Sequence, residues 1–283
     1  MRNATVFVCL LLLGFLLGMP SPALAFQVKQ LFNGYLGQPI HEQITRDALT
    51  AYQVDDIKSG FDKNYAIPAI VQANANTDMN QEETSWHFDG EDFSGGSKRL
   101  IDLKAKLIDE VKIQLNKEPD QRSTQKSYEY LGGALHTVQD FYAHSNWVEL
   151  ENRNNKGNPT INRELGRGPI SNVADPETPT CPTNSSTLGG EGLEKVTSGY
   201  YNGSTSCSLP VGIKQGKCIH GPILFNSSCP GINKDKPGRS GYDTASELAF
   251  KATQDYLDQI LKDKDSPLAG NVDAAKFLMR IRK

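Results

Sequence analysis

The chain has 283 residues, with 30 Lys or Arg, 33 Asp or Glu and five His, which gives a formal net charge of −3 at pH 7. This mild acidity argues against general electrostatic binding to nucleic acid or to an anionic membrane, although it leaves room for a local basic cleft. The length is sufficient for one large domain with a real hydrophobic core.

The N-terminal segment has the pattern of an export signal. One basic residue, Arg2, precedes an apolar run at residues 6–17, and the segment ends in a small-x-small pattern, Ala23-Leu24-Ala25. This pattern predicts cleavage after Ala25, a mature chain that starts at Phe26, and a secreted or periplasmic protein. A membrane anchor is the competing interpretation, but the run is short for a span of about 20 residues. No later stretch is apolar enough to cross a bilayer.

Apolar residues at helical spacing predict an all-α domain over residues 26–283, interrupted by one long insert. Residues 151–240 are rich in Asn, Gly, Pro, Ser and Thr, which is the composition of turns and loops. No run of alternating strands is indicated. The predicted helices cover residues 41–56, 99–117, 127–150, 242–264 and 271–282.

Four cysteines remain in the mature chain, because Cys9 belongs to the export signal. They cluster within the insert, and in an exported protein an even number predicts two disulfides that staple it. Three pairings are open. A zinc site made of all four cysteines is the alternative, which the absence of any CxxC pair disfavours. The four are Cys181, Cys207, Cys218 and Cys229.

The helix predicted at residues 127–150 carries His136, Asp140 and His144 four residues apart. Residues at i and i+4 lie one above the other on a helix, so the three side chains form one stripe. The surrounding sequence is strongly apolar, which predicts a helix that is packed on most sides. Imidazole and carboxylate are ligands of divalent metals, zinc above all. The competing interpretation is a core helix whose histidines bond to backbone carbonyls, but three ligand types on one stripe favour a metal.

The other histidines also lie near carboxylates or at a predicted helix start. His41 opens the first long helix, and His87 follows Asp78 by nine residues. Each of these residues alone is typical of a cap or a surface position. The Gly132-Gly133 pair on the central helix predicts a close approach of another backbone, since glycine weakens a helix by about 1 kcal/mol relative to alanine.

Three sequence strings resemble the HET-C (heterokaryon incompatibility protein C) family, and the resemblance covers most of the mature chain. They are residues 130–150, 217–221 and 231–235. The same strings also look like the N-terminal part of animal proteins that carry a von Willebrand factor A domain. More distantly, the order of histidines and aspartates resembles the metal ligands of zinc-dependent phospholipases C and single-strand nucleases.

The more distant resemblance implies one zinc held by Asp78, His87, His136 and Asp140. It also implies that Asp140 bridges to a second metal near His41. In those enzymes the mature N-terminus binds metal as well, which would give the Phe26 amine that role. A free α-amino group has a pKa near 7.7–8.0, so a metal displaces its proton at little cost.

The third metal position of those enzymes matches less well. The enzymes use a wider gap than the four residues that separate His144 from Asp140, and their His-x-x-x-Glu pair has no clear match at His220. A pair of His220 with Asp235 is a replacement, and a loop histidine that stabilises its own turn is the alternative.

The HET-C and phospholipase resemblances together imply a secreted metal-binding protein that hydrolyses phosphoesters, with phospholipid or nucleic acid as substrate. Metals lower the pKa of bound water towards about 7 and neutralise charge on a phosphoryl oxygen. The alternative is a non-catalytic, metal-stabilised toxin or recognition protein that acts in cell death or self/non-self incompatibility. No residue pattern indicates specific nucleic-acid binding, an oligomeric state or a particular catalytic residue.

Overall fold

A computed structural model describes residues 40–54, 57, 59–203, 206–222 and 231–280. Within these ranges the fold is all-α, as predicted, with eight α-helices and isolated β-bridges in place of strands. The helices are α1 Ile40–Ala51, α2 Ala66–Thr77, α3 Thr84–His87, α4 Phe93–Leu115, α5 Gln125–His144, α6 Trp147–Asn154, α7 Tyr242–Leu261 and α8 Val272–Met279.

The central element is α5, which packs against α2, α4 and α7. Most of its apolar residues are buried, as the apolar sequence predicts, and Leu131, Leu135 and Phe141 are fully buried. The close approach predicted at the glycine pair occurs at Gly132, where an added Cβ would lie 2.5 Å from the Cβ of Ala73 on α2. Glycine is therefore required there, because a side chain would push the two helices apart.

The prediction of a single helix over residues 127–150 is wrong, because α5 ends at His144 and α6 begins at Trp147. Ser145 between them is extended, with φ −100° and ψ 170°. The side chain of Asn146 donates to the carbonyl oxygens of Gly192 and Lys195, at 2.8 and 2.9 Å. The insert therefore holds the break in the helix, and such long-range contacts leave no mark in the periodicity.

The helix α2 was not predicted from the sequence. It contains Pro68 and three asparagines or threonines among its last residues, which are poor helix formers. Pro68 is tolerated because it lies in the first turn, where its missing N–H has no partner in the helix. The start of α4 also lies earlier than predicted, at Phe93, because Asp92 caps the helix by accepting from the Gly95 amide at 2.9 Å.

The insert is irregular, as predicted, and is held by isolated bridges and by a disulfide between Cys181 and Cys218, both fully buried. This bond occurs in only one of the three possible pairings of the four cysteines. Cys229 lies outside the described residues, so the second disulfide stays a prediction. The predicted export signal and Phe26 also lie outside them. None of the helices in the described ranges is long and apolar enough to span a membrane.

Candidate metal centre

The centre of the candidate site is the buried carboxylate of Asp140 on α5. Its Oδ2 lies 2.7 Å from His87 Nδ1 and 2.9 Å from His136 Nε2. Its Oδ1 lies 3.2 Å from His41 Nε2 and 3.8 Å from His144 Nε2. One carboxylate thus faces four imidazoles that come from α1, α3 and α5. The stripe predicted on the central helix is therefore present, and residues from two other helices complete it.

The outer nitrogen of each of three rings is bonded to a group outside the cluster. His136 Nδ1 faces Asn74 Oδ1 at 3.4 Å, and His41 Nδ1 faces Gln139 Oε1 at 3.1 Å. His87 Nε2 faces the carbonyl oxygen of Asn80 at 3.2 Å. These oxygens accept, so each outer nitrogen carries a proton and the inner nitrogen is directed at the Asp140 carboxylate. Metal-binding histidines are usually oriented in this way.

Two groups of side chains in this network bring together atoms that could hold a metal ion. In the first, the ligand atoms of Asp78, His87 and His136 lie within 4.8 Å of one another. Asp78 Oδ1 is 3.4 Å from His136 Nε2, and its side chain is 37% exposed, whereas the histidines are buried. Because Asp140 contacts both histidines, we name the set of Asp78, His87, His136 and Asp140 site A.

The second group joins the end of α5 to the insert. The ligand atoms of Asp89, His144 and His220 lie within 4.8 Å of one another. Asp235 adds a second carboxylate, with Oδ1 3.0 Å from His144 Nε2 and Oδ2 3.6 Å from His220 Nε2. We name the set of Asp89, His144, His220 and Asp235 site B.

A strained turn places neighbouring residues in the two sites. His87 ends α3, and Phe88, Gly90 and Glu91 then take positive φ values of 55°, 61° and 62°. Such a conformation is costly for residues with a side chain and persists only where the surroundings enforce it. Here Phe88 is fully buried in the core. As a result, His87 belongs to site A while Asp89, two residues later, belongs to site B.

Burial and charge act in opposite directions on the ionisable groups of the network. Burial opposes the charge on Asp140, but attraction from His136, His144 and His41 outweighs it and lowers the pKa of that carboxyl well below its usual value. Burial likewise lowers the pKa of His87, but the hydrogen bond and charge of Asp140 outweigh it and raise that pKa. The imidazoles thus balance the buried carboxylates, as a metal would do more strongly.

In site B, burial and charge also act in opposite directions on the pKa values of the histidines. Burial lowers the pKa of His144, yet Asp235, Asp89 and Asp140 raise it well above its usual value. For His220 burial dominates and lowers the pKa, so its ring is held neutral. Every ion pair described for Asp89 and Asp140 is to a histidine. The carboxylates of the network therefore have imidazoles as their partners in the described part of the chain.

The chain has five histidines, and all of them meet in this one network. Their assignment as metal ligands stays a prediction, although the structure brings every predicted side chain together. His220 also makes the turn contact considered as its alternative, since Nδ1 lies 2.7 Å from the carbonyl oxygen of Gly221. The side chains placed in the network are those of His41, Asp78, His87, His136, Asp140, His144 and His220.

Asp89 was not predicted as a site residue, and Asp235 was predicted only as a partner of His220. The available signal was that Asp89 follows His87 by two residues. In a regular strand the two side chains would share a face, and in a regular helix they would point in different directions. Neither pattern predicts that they enter two adjacent sites. The three positive φ values around Asp89, which direct it to the second site, could not be predicted.

Residues 44–267 match the model of the VWA7 N-terminal domain. The chain belongs to the VWA7 N-terminal domain family. It is similar to human von Willebrand factor A domain-containing protein 7, with 33% identity over 187 residues, which are 62% of this chain and 19% of that protein. The rat protein of the same name is 32% identical over 185 residues, and the shares are again 62% and 19%. This chain therefore spans about a fifth of the length of these relatives. No solved structure matches it.

The family match corrects the predicted assignment. The strings at residues 130–150, 217–221 and 231–235, which led to HET-C, all lie within the matched VWA7 N-terminal domain. The prediction of a HET-C family member is therefore wrong, as is the more distant one of a phospholipase C or nuclease relative. The resemblance to animal proteins with a von Willebrand factor A domain is confirmed.

The functional prediction that depended on that assignment is wrong as well. Neither a HET-C-like secreted metal hydrolase nor the alternative, a toxin or recognition protein in cell death, is supported by the VWA7 family match. The order of histidines and aspartates suggested the wrong family. It is not specific to one family, because i, i+4 spacing on one helix is a general way to bring metal-binding side chains together.

Proposed function

We propose that this VWA7 N-terminal domain binds a divalent metal, zinc above others, at site A. The observation that carries the proposal is the convergence of Asp78, His87 and His136 on the buried Asp140 carboxylate. Two imidazoles and two carboxylates are a typical donor set for zinc. In the described part of the chain His136 Nε2 has no hydrogen bond of good geometry, although it is fully buried. A metal would supply the missing partner.

The spacing of the donor atoms supports the same proposal. In a tetrahedral zinc site with bonds of about 2.0–2.1 Å, neighbouring ligand atoms lie roughly 3.3 Å apart. The contacts in site A are 2.7 Å from His87 to Asp140, 2.9 Å from His136 to Asp140 and 3.4 Å from Asp78 to His136. Small side-chain movements are enough to bring these atoms to zinc distances.

The proposed role of the metal is to hold three chain segments together. Asp78 follows α2, His87 ends α3, and the other two ligands lie on α5. Four protein ligands complete a tetrahedral coordination, which is typical of structural zinc rather than of zinc with an open position. Binding to the folded state alone stabilises it, by about 2.7 kcal/mol when the free metal is at a hundred times its Kd.

Thermal unfolding of the metal-free protein with and without added Zn²⁺ tests this proposal. Zinc should raise the Tm of the wild type, and His136→Ala should reduce that rise. Ser127→Ala, a buried change on the same helix outside the site, should leave it intact. The absence of a zinc-dependent rise in the wild type, or an equal rise in the His136 variant, would overturn the proposal.

We also propose that the domain is exported. The buried disulfide between Cys181 and Cys218 supports this, since such bonds persist in oxidising compartments. The export pattern over residues 1–25 supports it as well. Sequencing the N-terminus of the protein recovered outside the producing cells should give Phe26 as the first residue. Protein that stays inside the cells and begins at Met1 would contradict the proposal.

A further inference from the structure

Site B joins the helical body to the insert through backbone hydrogen bonds as well as side chains. The Gly90 amide beside Asp89 donates to Gly199 O at 2.8 Å, and the Gly199 amide donates to the carbonyl of His144 at 3.2 Å. The Lys234 amide donates to Ala143 O at 2.8 Å. Segments distant in sequence are thus fixed next to one another, and their neighbours Asp89, His144 and Asp235 converge.

Three buried acceptor atoms in site B face each other. His220 Nδ1 lies 2.7 Å from the Gly221 carbonyl oxygen, which can only accept. The Asn233 amide nitrogen, 3.1 Å from the same Nδ1, has the carbonyl oxygens of His220 and Gly221 for its own hydrogens, so we assign the ring proton to Nδ1. The lone pair of Nε2 then points to Asp235 Oδ2 at 3.6 Å and to Asp89 Oδ1 at 4.0 Å. Within the described ranges none of these three atoms has a hydrogen-bond partner. Leaving one such buried group unsatisfied costs about 1–3 kcal/mol, so a cation in contact with all three acceptors would stabilise them together.

His144 is oriented in the same manner as His220. Its Nδ1 lies 2.9 Å from the carbonyl oxygen of His87, and its Nε2 lies 3.0 Å from Asp235 Oδ1. Both rings thus bond through Nδ1 to a backbone carbonyl and direct Nε2 at the Asp235 carboxylate, as metal-ligating histidines do. The other carboxylate, Asp89, has its Oδ1 3.2 Å from His144 Nδ1. Two imidazoles with two carboxylates suit zinc and similar transition metals, whereas calcium and magnesium prefer oxygen ligands alone.

We propose that site B binds a second divalent cation of the zinc type and that this cation fastens the insert to the helical body. Asp89 and His144 belong to the body, while His220 and Asp235 belong to the insert. His220 is two residues from Cys218, so the cation would add a second cross-link beside the disulfide. The inference extends the proposed metal function to a second cation, but its four ligands are separate from those of site A.

Metal analysis of full-length variants, loaded with Zn²⁺ and then freed of excess metal, tests this inference. The wild type should hold two equivalents. Asp235→Asn keeps the shape of the side chain and should leave one, and Asp89→Asn should do the same independently. Asp175→Asn, an exposed change in the insert, is the matched control and should keep both equivalents. His136→Ala removes a ligand of site A and should also leave one.

Hydrogen exchange gives a readout for the insert itself. The backbone amides of Gly199, His220 and Lys234 should be protected with zinc bound and exchange faster after chelation. In the Asp235→Asn variant these amides should exchange fast even with zinc bound. In the His136→Ala variant they should stay protected. Zinc-independent protection in the wild type would overturn the proposed cross-link.

The outcomes separate the two sites. One equivalent in the wild type that Asp235→Asn retains and His136→Ala loses overturns site B and leaves site A in place. One equivalent that Asp235→Asn loses and His136→Ala retains supports site B and contradicts site A. Two equivalents that persist in both Asp235→Asn and Asp89→Asn also overturn the inference.

Discussion

The carboxylate of Asp140 lies 2.7 Å from Nδ1 of His87, although the two residues are 53 positions apart in the chain. Both side chains are buried, with 1% and 3% of the side chain exposed. A buried charge pair is costly to assemble and costly to break, so it ties the short helix α3 firmly to the central helix. The same contact defines the core of site A.

Replacement of Asp140 by Asn should remove the metal of site A and destabilise the domain. The amide keeps the shape of the side chain but loses the charge that offsets the cation and the histidines. Loss of one partner from a buried pair costs about 3–5 kcal/mol. Denaturant unfolding and metal analysis of Asp140→Asn measure both effects, with Asp109→Asn, whose side chain is 73% exposed, as control. Unchanged metal content in Asp140→Asn would contradict the assignment.

Two adjacent glycines on α5 should respond oppositely to alanine. In Gly132→Ala the new Cβ would lie 2.6 Å from the carbonyl oxygen of Ile70, so overpacking should destabilise the domain by about 1–3 kcal/mol. In Gly133→Ala the nearest atom is the flexible Arg99 Nη2 at 3.4 Å, so higher helix propensity should stabilise it by up to about 1 kcal/mol. Urea unfolding compares the two variants. Equal effects would show that Gly132 is not a close-contact position.

The ion pair of Asp255 with Arg163 and Arg167 predicts a defined pH dependence. Burial raises the pKa of Asp255, but the hydrogen bonds from Arg167 and Gln259 and the charge of the two arginines outweigh it and lower that pKa. A lowered folded pKa means that the stabilisation is present above the unfolded value, about 3.9, and is lost as pH falls through the folded value.

The variant Asp255→Asn measures this contribution. At pH 7 it should be less stable than the wild type by about 2 kcal/mol, the order expected for hydrogen bonds to a charged group. Urea unfolding of both proteins in chelator, from neutral pH to below pH 4, should show the difference shrinking towards acid pH. A difference that grows as the pH falls would contradict the predicted sign.

A buried pair anchors the insert at the strained turn. Lys217 Nζ lies 2.8 Å from Glu91 Oε2, and the two side chains are 1% and 5% exposed. Either Lys217→Met or Glu91→Gln alone should cost about 3–5 kcal/mol, because it leaves one charge buried without its partner. The double variant should cost clearly less than the sum of the two. Additive losses in this double-mutant cycle would show that the pair is not coupled.

Local sequence rules predicted the parts of the site that lie on one helix. The stripe of His136, Asp140 and His144 follows from i, i+4 geometry, and the burial of α5 follows from its apolar sequence. The division of that stripe between two sites does not follow from it. It depends on Asp89 and Asp235, which are placed by a turn of left-handed residues and by backbone bonds between segments far apart in the chain.

The boundaries of the helices show the same limit. The periodicity placed α7 close to its observed range, because its apolar residues are buried along its whole length. It missed the break after His144, because that break depends on the contacts of Asn146 with the insert. Local propensity therefore did not predict the features that depend on tertiary hydrogen bonds.

The most direct test of site A is the metal content of the full-length protein and of Asp140→Asn, measured by mass spectrometry after incubation with Zn²⁺ and removal of excess metal. The wild type should retain zinc, and Asp140→Asn should retain at least one equivalent less, while its circular dichroism shows that it is still helical. A folded wild-type protein that retains no zinc, or that retains the same amount as Asp140→Asn, would contradict the assignment of this network as a metal centre.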